Sequence, residues 1–481
     1  MLRKILCAAA CAAALALAQA APASTAAAVL PTQVQAALQR AKLPRDAMVA
    51  VVQEVGASSS RLAWQPDRVV HPASLMKLVT TQAALELLGP AWHWSTPVWL
   101  DGAVRADGVL DGNLVIRGSG DPQLVLERVW QMLRRVKQLG VHEIHGDIVL
   151  DRSAFAVPER SAGEFDGDAD RPYNVQPDAL LLNFRSLILN FRPDAQQHLA
   201  LVSASPTLDG VRVDASVPLS DGACIGWRDA LKADTTDPSR IRFAGAFPAA
   251  CGEQQWPMAY ADPKHFDEKL LLGLWREMGG TLSGTVREGA APATPPTFVV
   301  DSPPLPEVIR DINKFSNNMM AQQLFLTLGL TQRGAGSWEA ARDAVLDWST
   351  RRLGPQASRD LVIANGSGLS RDAQLSAGFL AQLLQTAWQS PTMPELMSSL
   401  PISGIDGTLR HAGAGIGRAH LKSGSLRDVA GLAGYVLSCS GQRYVVVAII
   451  NHPNANAGRA AIDALVQWSI DDDHCAARQQ H

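Results

Sequence analysis

The stretch SLMKLVTTQAALELL, residues 74–88, decides how the rest of the chain is read. Its helix-forming composition predicts an α-helix, approached through Pro72 and ended by Gly89-Pro90. Ser74 and Lys77 stand three residues apart in its first turn, so hydroxyl and amine share one face and can meet. The free N–H groups of a helix start favour negative charge there. An amine set among Leu75, Met76, Leu78 and Val79 loses proton affinity and can serve as a base. The plainer alternative is a capping serine followed by a solvated lysine.

Working outward, AMVAVVQEV (47–55) reads as a strand, with a second short strand at 61–64. From about residue 95 to 290 the texture changes to short β-like runs between Asp-Gly turns at 107–108, 111–112, 209–210 and 221–222. Helices interrupt them near 122–139 and 263–278. Prolines at 292, 295, 296, 303, 304 and 306 suggest an exposed connection over 287–306. Helices are expected over 309–330, 338–353 and 376–388. Strands follow at 420–423, 431–439 and 444–450, then a helix over 457–470 and a loose polar tail. Strand–helix character that stops near 95 and resumes after 306 points to an insertion within one α/β domain rather than domains in series.

Two later motifs complement the first. Ser316-Asn317-Asn318 opens an amphipathic helix, where Ser316 can relay a proton and Asn318 can hold Lys77 and a substrate carbonyl. Lys422-Ser423-Gly424-Ser425 lies on a strand edge. There Lys422 adds positive potential, and a glycine lets a substrate backbone approach. The Ser425 hydroxyl can grip a carboxylate, and its N–H can join that of Ser74 in an oxyanion hole. Capping and a polar hairpin are the ordinary explanations of these two segments taken singly.

Order and context make the trio specific. The chain resembles the penicillin-recognising serine acyltransferases, which share Ser-x-x-Lys, Ser-x-Asn and Lys-Thr/Ser-Gly. More closely it is similar to the class C low-molecular-mass penicillin-binding proteins, which are periplasmic D-alanyl-D-alanine carboxypeptidases and endopeptidases. The 242 residues separating Ser74 from Ser316 suit that family's large insertion. GSGDPQL (118–124), GVHEIHGDIVLDRSAF (140–155), YNVQPDALLLNF (173–184), NGSGLSR (365–371) and LPISGIDGTL (400–409) extend the likeness. Ser423 stands where threonine is commoner, and Asn365 where aspartate is often found.

The resemblance implies an α/β (α+β) transpeptidase-like domain, an antiparallel sheet with helices, carrying two smaller nested domains. Residues 24–95 and 300–475 would form the split catalytic domain and 96–299 the insert. It also implies catalytic roles for Ser74, Lys77, Ser316, Asn318 and Lys422, substrate contacts at Ser423, Gly424 and Ser425, and no metal or cofactor. The expected ligands are peptidoglycan stem peptides and β-lactam antibiotics. A β-lactamase is the competing enzyme. The segment nearest a Glu-x-x-Leu-Asn loop, residues 179–183, has Ala179 in place of glutamate. A non-catalytic wall-binding protein is the other alternative.

Composition bounds the class. With 47% apolar and 19% charged residues, 481 residues can build two or three domains, and a net charge of −3 without a basic run argues against nucleic acid. Arg3 and Lys4, the apolar run 5–18 and Ala18-Gln19-Ala20 read as a cleaved signal over residues 1–20, with an alternative cut after Ala23. That places the mature chain in the periplasm, soluble or peripherally membrane-associated. Cys224, Cys251, Cys439 and Cys475 then remain. The local choice joins Cys224 to Cys251 and leaves Cys439 for Cys475, with buried free thiols as the alternative. No later segment suits a membrane span. His142, Glu143, His145 and Asp147 lack a metal-site pattern, and Asp166, Asp168 and Asp170 start a calcium loop that fails at Arg171 and Pro177.

Overall fold

A computed structural model describes residues 29–472 and Cys475. The signal segment expected over residues 1–20 and the cleavage sites expected after it lie outside the described residues. The central sheet has five antiparallel strands in the order Leu62–Trp64, Met48–Glu54, Arg443–Asn451, Val429–Leu437 and Ala419–Leu426. The first long strand therefore pairs with the last, Met48 opposite Ile450 and Glu54 opposite Tyr444.

Side chains alternate across this sheet. Val49, Val51, Val445, Val447 and Ile449 enter a core shared with the helices Met76–Leu87, Asn318–Arg333 and Ala377–Trp388. Met48, Ala50, Val52, Val446, Ala448 and Ile450 enter a second core under Thr32–Arg40 and Arg459–Ile470. Because both faces are covered, residues 444–450 read as an unbroken apolar run rather than an alternation.

Residues 95–301 form sheets of their own. One has seven strands, from Ser95–Val104 to Phe298–Asp301. A five-stranded sheet within residues 186–259 and a three-stranded one within 212–243 complete the insert. A common apolar core unites these sheets with the helices Leu126–Gln138 and Phe266–Glu277.

A partly buried charge box, built on buried Asp267, stands where the insert meets the helical body. Arg152 donates to Asp178 Oδ1 (2.7 Å) and Asp267 Oδ2 (2.6 Å), and Arg185 donates to Asp178 Oδ2 (2.5 Å) and Asp267 Oδ2 (3.2 Å). Gln323, on the helix Asn318–Arg333, donates to Asp178 O at 2.8 Å and accepts the Asp178 N–H at 3.0 Å.

Three expectations are corrected. The single helix expected over 309–330 is two, Leu305–Lys314 and Asn318–Arg333, because Ser316 has a φ of 57°, which a right-handed helix does not accommodate. The exposed connection expected over 287–306 is partly sheet. Val286–Glu288 pairs with the strand Ile148–Asp151, and Phe298–Asp301 takes an edge beside Ser95–Val104, in the gap between two proline pairs. The tail expected to be loose is tied down at its start. Asp472 is buried, accepts from Ser440 Oγ and Tyr444 Oη, and is followed by Cys475, bonded to Cys439 with Cα atoms 5.4 Å apart. Cys224 is bonded to Cys251, Cα atoms 4.8 Å apart. Among the described residues no helix is long and apolar enough to cross a membrane.

Candidate active site

Ser74 sits in a 3₁₀ turn, Ala73–Leu75, that runs straight into the helix Met76–Leu87. The turn is bent at Ala73, φ 48°. His71 holds it: Nδ1 accepts the Ala73 N–H at 3.0 Å, which leaves Nε2 to donate to Ser370 O at 2.7 Å. Burial, the largest influence on His71, lowers its pKa and favours this neutral ring. Asn451 grips the His71 backbone from both sides, at 2.8 and 3.0 Å. Ser74 caps nothing with its side chain. Its Oγ accepts from Lys77 Nζ at 3.0 Å.

Lys77 is completely buried. Its amine also donates to Asn318 Oδ1 (2.6 Å) and to the Ser367 carbonyl (2.7 Å). An ammonium has three donors and no acceptor, so these partners saturate it. Once neutral, two N–H bonds on Asn318 and Ser367 aim the freed lone pair at the Ser74 hydroxyl. Burial first, and the charge of Lys422 second, hold the Lys77 pKa well below the ordinary lysine value.

The broken helix explains the second motif. Asn317 takes the capping task, its Oδ1 accepting the Met320 N–H at 3.1 Å. That releases its neighbours. Asn318 turns to Lys77, and Ser316 Oγ accepts from Lys422 Nζ at 2.9 Å. Lys422 is also fully buried, donates to Ser423 O at 2.8 Å, and is pulled down to about 7 by burial.

The third motif departs from expectation in detail. A Cβ at Gly424 would lie 2.8 Å from Pro72 O and 3.0 Å from Leu75 Cγ, so its missing side chain admits the protein's own nucleophile turn. The Ser423 hydroxyl lies 2.7 Å from Thr408 Oγ1. Ser425 Oγ accepts from Arg459 Nη2 at 3.1 Å and stands 3.4 Å from Asn456 Oδ1, contacts that sequence reasoning did not foresee.

Sequence reasoning also missed Ser367 and His71. In the NGSGLSR turn, Asn365 Oδ1 accepts from Ser367 N (3.1 Å) and Oγ (3.0 Å), while its Nδ2 donates to Leu369 O at 2.7 Å. Gly366 O accepts from Thr80 at 2.7 Å, and Gly368, φ 80°, lets the turn press on the Ala73 carbonyl. The turn thereby presents the Ser367 carbonyl to Lys77. The Gly-Ser-Gly pattern was visible, but nothing local says which carbonyl it exposes. The other side of this turn lines a groove of about 380 Å³ with Tyr173, Asn174 and Trp338.

The residues set aside earlier lie in the insert. His145 has Asp111 on Nδ1 and Glu143 on Nε2, each at 3.1 Å. Asp166 accepts from Tyr173 Oη (2.8 Å) and Asn174 Nδ2 (2.7 Å).

The family profile described as D-Ala-D-Ala carboxypeptidase 3 (S13) matches residues 30–471. The D-alanyl-D-alanine carboxypeptidase of Actinomadura sp. (strain R39) is 28% identical over 414 residues, covering 81% of this chain and 74% of that protein. The crystal structure of penicillin binding protein 4 (dacB) from Haemophilus influenzae is similar with a TM-score of 0.72 at 22% identity, covering 90% of this chain and 99% of that one. The same protein complexed with a β-lactam gives 0.68 at 21%, covering 91% and 100%. Nearly the whole described chain is matched, and the three motifs meet at one site: the chain belongs to the D-Ala-D-Ala carboxypeptidase 3 (S13) family.

Proposed function

We propose that the chain is an exported serine DD-peptidase that hydrolyses the bond after a D-alanyl residue in peptidoglycan stem peptides, through an acyl-enzyme on Ser74. The observation that carries this is a fully buried amine, Lys77, set 3.0 Å from a hydroxyl at the start of a helix. Ser74 gives its proton to neutral Lys77 as Oγ bonds to the D-alanyl carbonyl carbon. The oxyanion is received by the N–H groups of Ser74 and Ser425. As the C–N bond breaks, the leaving amine takes the Ser316 hydroxyl proton, which Lys422 replaces. Lys77 then gives up the proton it took and Lys422 regains one from solvent, and with Lys77 neutral again water attacks the ester with that amine as base. Where the leaving group is terminal D-alanine the result is carboxypeptidase action. Where it is a cross-linked diaminoacyl residue the same steps are endopeptidase action. Penicillin should acylate the same serine and leave slowly.

The sheet order supports reading residues 24–95 and 300–475 as one split catalytic domain around the insert 96–299, since Met48–Glu54 pairs with Arg443–Asn451. Two disulfides and the signal segment support a periplasmic location. The test is D-alanine release from a pentapeptide ending in D-alanyl-D-alanine. Saturable release that disappears in Ser74→Ala is expected. Folded wild-type protein that binds peptidoglycan yet releases nothing would favour a wall-binding role instead.

A further inference from the structure

We propose that the groove beside Trp130 in the insert binds the N-acetylated sugar rings of a peptidoglycan glycan strand. The inference rests on the DD-peptidase reading for its choice of polymer, and it places a binding site outside the catalytic centre.

The helix Leu126–Gln138 makes this groove by an exception to its own pattern. Val129, Met132, Leu133 and Val136 turn into the core of the insert. The opposite face of such a helix is ordinarily polar and charged. Here Glu127, Trp130, Gln131 and Arg134 share it at helical spacing, and the large indole is exposed among them. The Arg134 guanidinium lies 5.3 Å from the indole centroid. Across from Trp130 stand the end of the helix Phe266–Glu277 and residues 204–207, where the strand Leu199–Ser205 ends. Together they line a groove of about 490 Å³, within the ~300–1,000 Å³ of small-ligand sites.

The lining selects by chemistry. Trp130, Leu274 and Ala204 supply apolar surface. The negative face of an indole suits the C–H face of a pyranose ring. Glu127, Gln131, Thr207 and Glu277 line the same groove, and their side chains hydrogen-bond to no protein group among the described residues. Their oxygens can therefore accept from sugar hydroxyls and acetamido N–H groups. Two nearby cations are committed elsewhere, Arg276 to Asp209 and Lys137 to Met278 O at 2.5 Å. The two glutamates leave the rim acidic, which opposes the carboxylates of a stem peptide and not a neutral sugar.

The groove is also tied to the body that carries the active site. Just before the helix, Gln123 donates to Asp311 Oδ2 at 2.7 Å, on the helix Leu305–Lys314 that leads to Ser316. Asn183 Oδ1 accepts the Leu126 N–H at 3.0 Å. A glycan held at Trp130 is thereby kept at a set offset from the catalytic serine.

Isothermal titration of the full chain with chitotetraose, and with glycan strands stripped of their stem peptides, tests this. Wild type should bind both saturably, and Trp130→Ala should weaken binding about tenfold or more, Glu277→Gln by less. D-alanine release from a soluble pentapeptide should stay within about twofold in Trp130→Ala, while release from intact peptidoglycan falls about fivefold or more. No glycan binding by folded wild type, binding unchanged in Trp130→Ala, or Trp130-dependent binding of a free stem peptide in place of the glycan overturns the proposal. Failure of the DD-peptidase reading has a different signature, glycan binding without D-alanine release from any substrate.

Discussion

The active site buries two cations and the seam to the insert partly buries two more, in opposite company. Lys77 and Lys422 have hydroxyls, an amide oxygen and carbonyls as partners, and no carboxylate within ion-pair distance among the described residues. Arg152 and Arg185 lie against Asp178 and Asp267. Burial is the largest influence on both lysines, and nothing offsets it, so both pKa values fall. Burial also works against charged Arg152, but the two carboxylates outweigh it and its pKa rises. Asp178, which burial alone would raise, is held below the carboxylate range by Arg185 and Arg152. A buried charge that is paired stays charged and holds structure. One left without a counter-ion gives up its proton readily and becomes a reagent.

The sharpest way to break this contrast is to remove one cation from each place. Lys77→Met should lower kcat for D-alanine release by about 10³-fold while changing stability by no more than about 2 kcal/mol, since no charge is orphaned. Arg152→Met should do the reverse. It leaves buried Asp267 and partly buried Asp178 with one guanidinium and should cost about 3–5 kcal/mol in urea unfolding, with kcat of the folded protein within about threefold of wild type. Comparable destabilisation by both substitutions would erase the distinction.

pH sharpens it further. Lys422 must be protonated to supply Ser316, so kcat/KM should decline as pH rises through about 7. The acid limb belongs to Lys77 taking up a proton. The same shift acts on stability with a definite sign. Because the folded-state pKa of Lys422 lies below the ordinary lysine value of 10.5, its contribution is complete above 10.5 and is lost as pH falls toward about 7. Unfolding measured across that range should show a slope that Lys422→Met reduces, the remainder belonging to Lys77. An alkaline limb near the ordinary lysine value would contradict the account.

The smallest effect is expected from Asn365→Asp. A carboxylate bonded to Ser367 would place an anion beside the carbonyl that holds Lys77, favour its charged form, and move the acid limb of kcat/KM up by less than about one pH unit. A limb that stays put would show that Lys77 does not feel this turn.

Much of the site was legible in the chain. Ser74 and Lys77 are local neighbours at helical spacing among apolar residues, and the strands that frame the cleft carry plain periodicity. What escaped depends on long-range contacts. The break at Ser316 is a backbone conformation that serine rarely adopts, so helix propensity ran through it. Ser367 and His71 act through partners 290 and 299 residues away. Gly424 was read as room for substrate, yet the space belongs to Pro72 and Leu75, which only the folded packing reveals. The strand Phe298–Asp301 hid between prolines because an edge position tolerates them on either side.

Ser74 is expected to carry the acyl group because Lys77 is buried without a counter-ion among the described residues. Intact-mass analysis after exposure to penicillin, followed by peptide mapping, tests it most directly. One covalent penicillin is expected on the wild type, mapped to Ser74, absent from Ser74→Ala and formed far more slowly in Lys77→Met. No adduct on folded wild-type protein, or an adduct that survives Ser74→Ala, would contradict it.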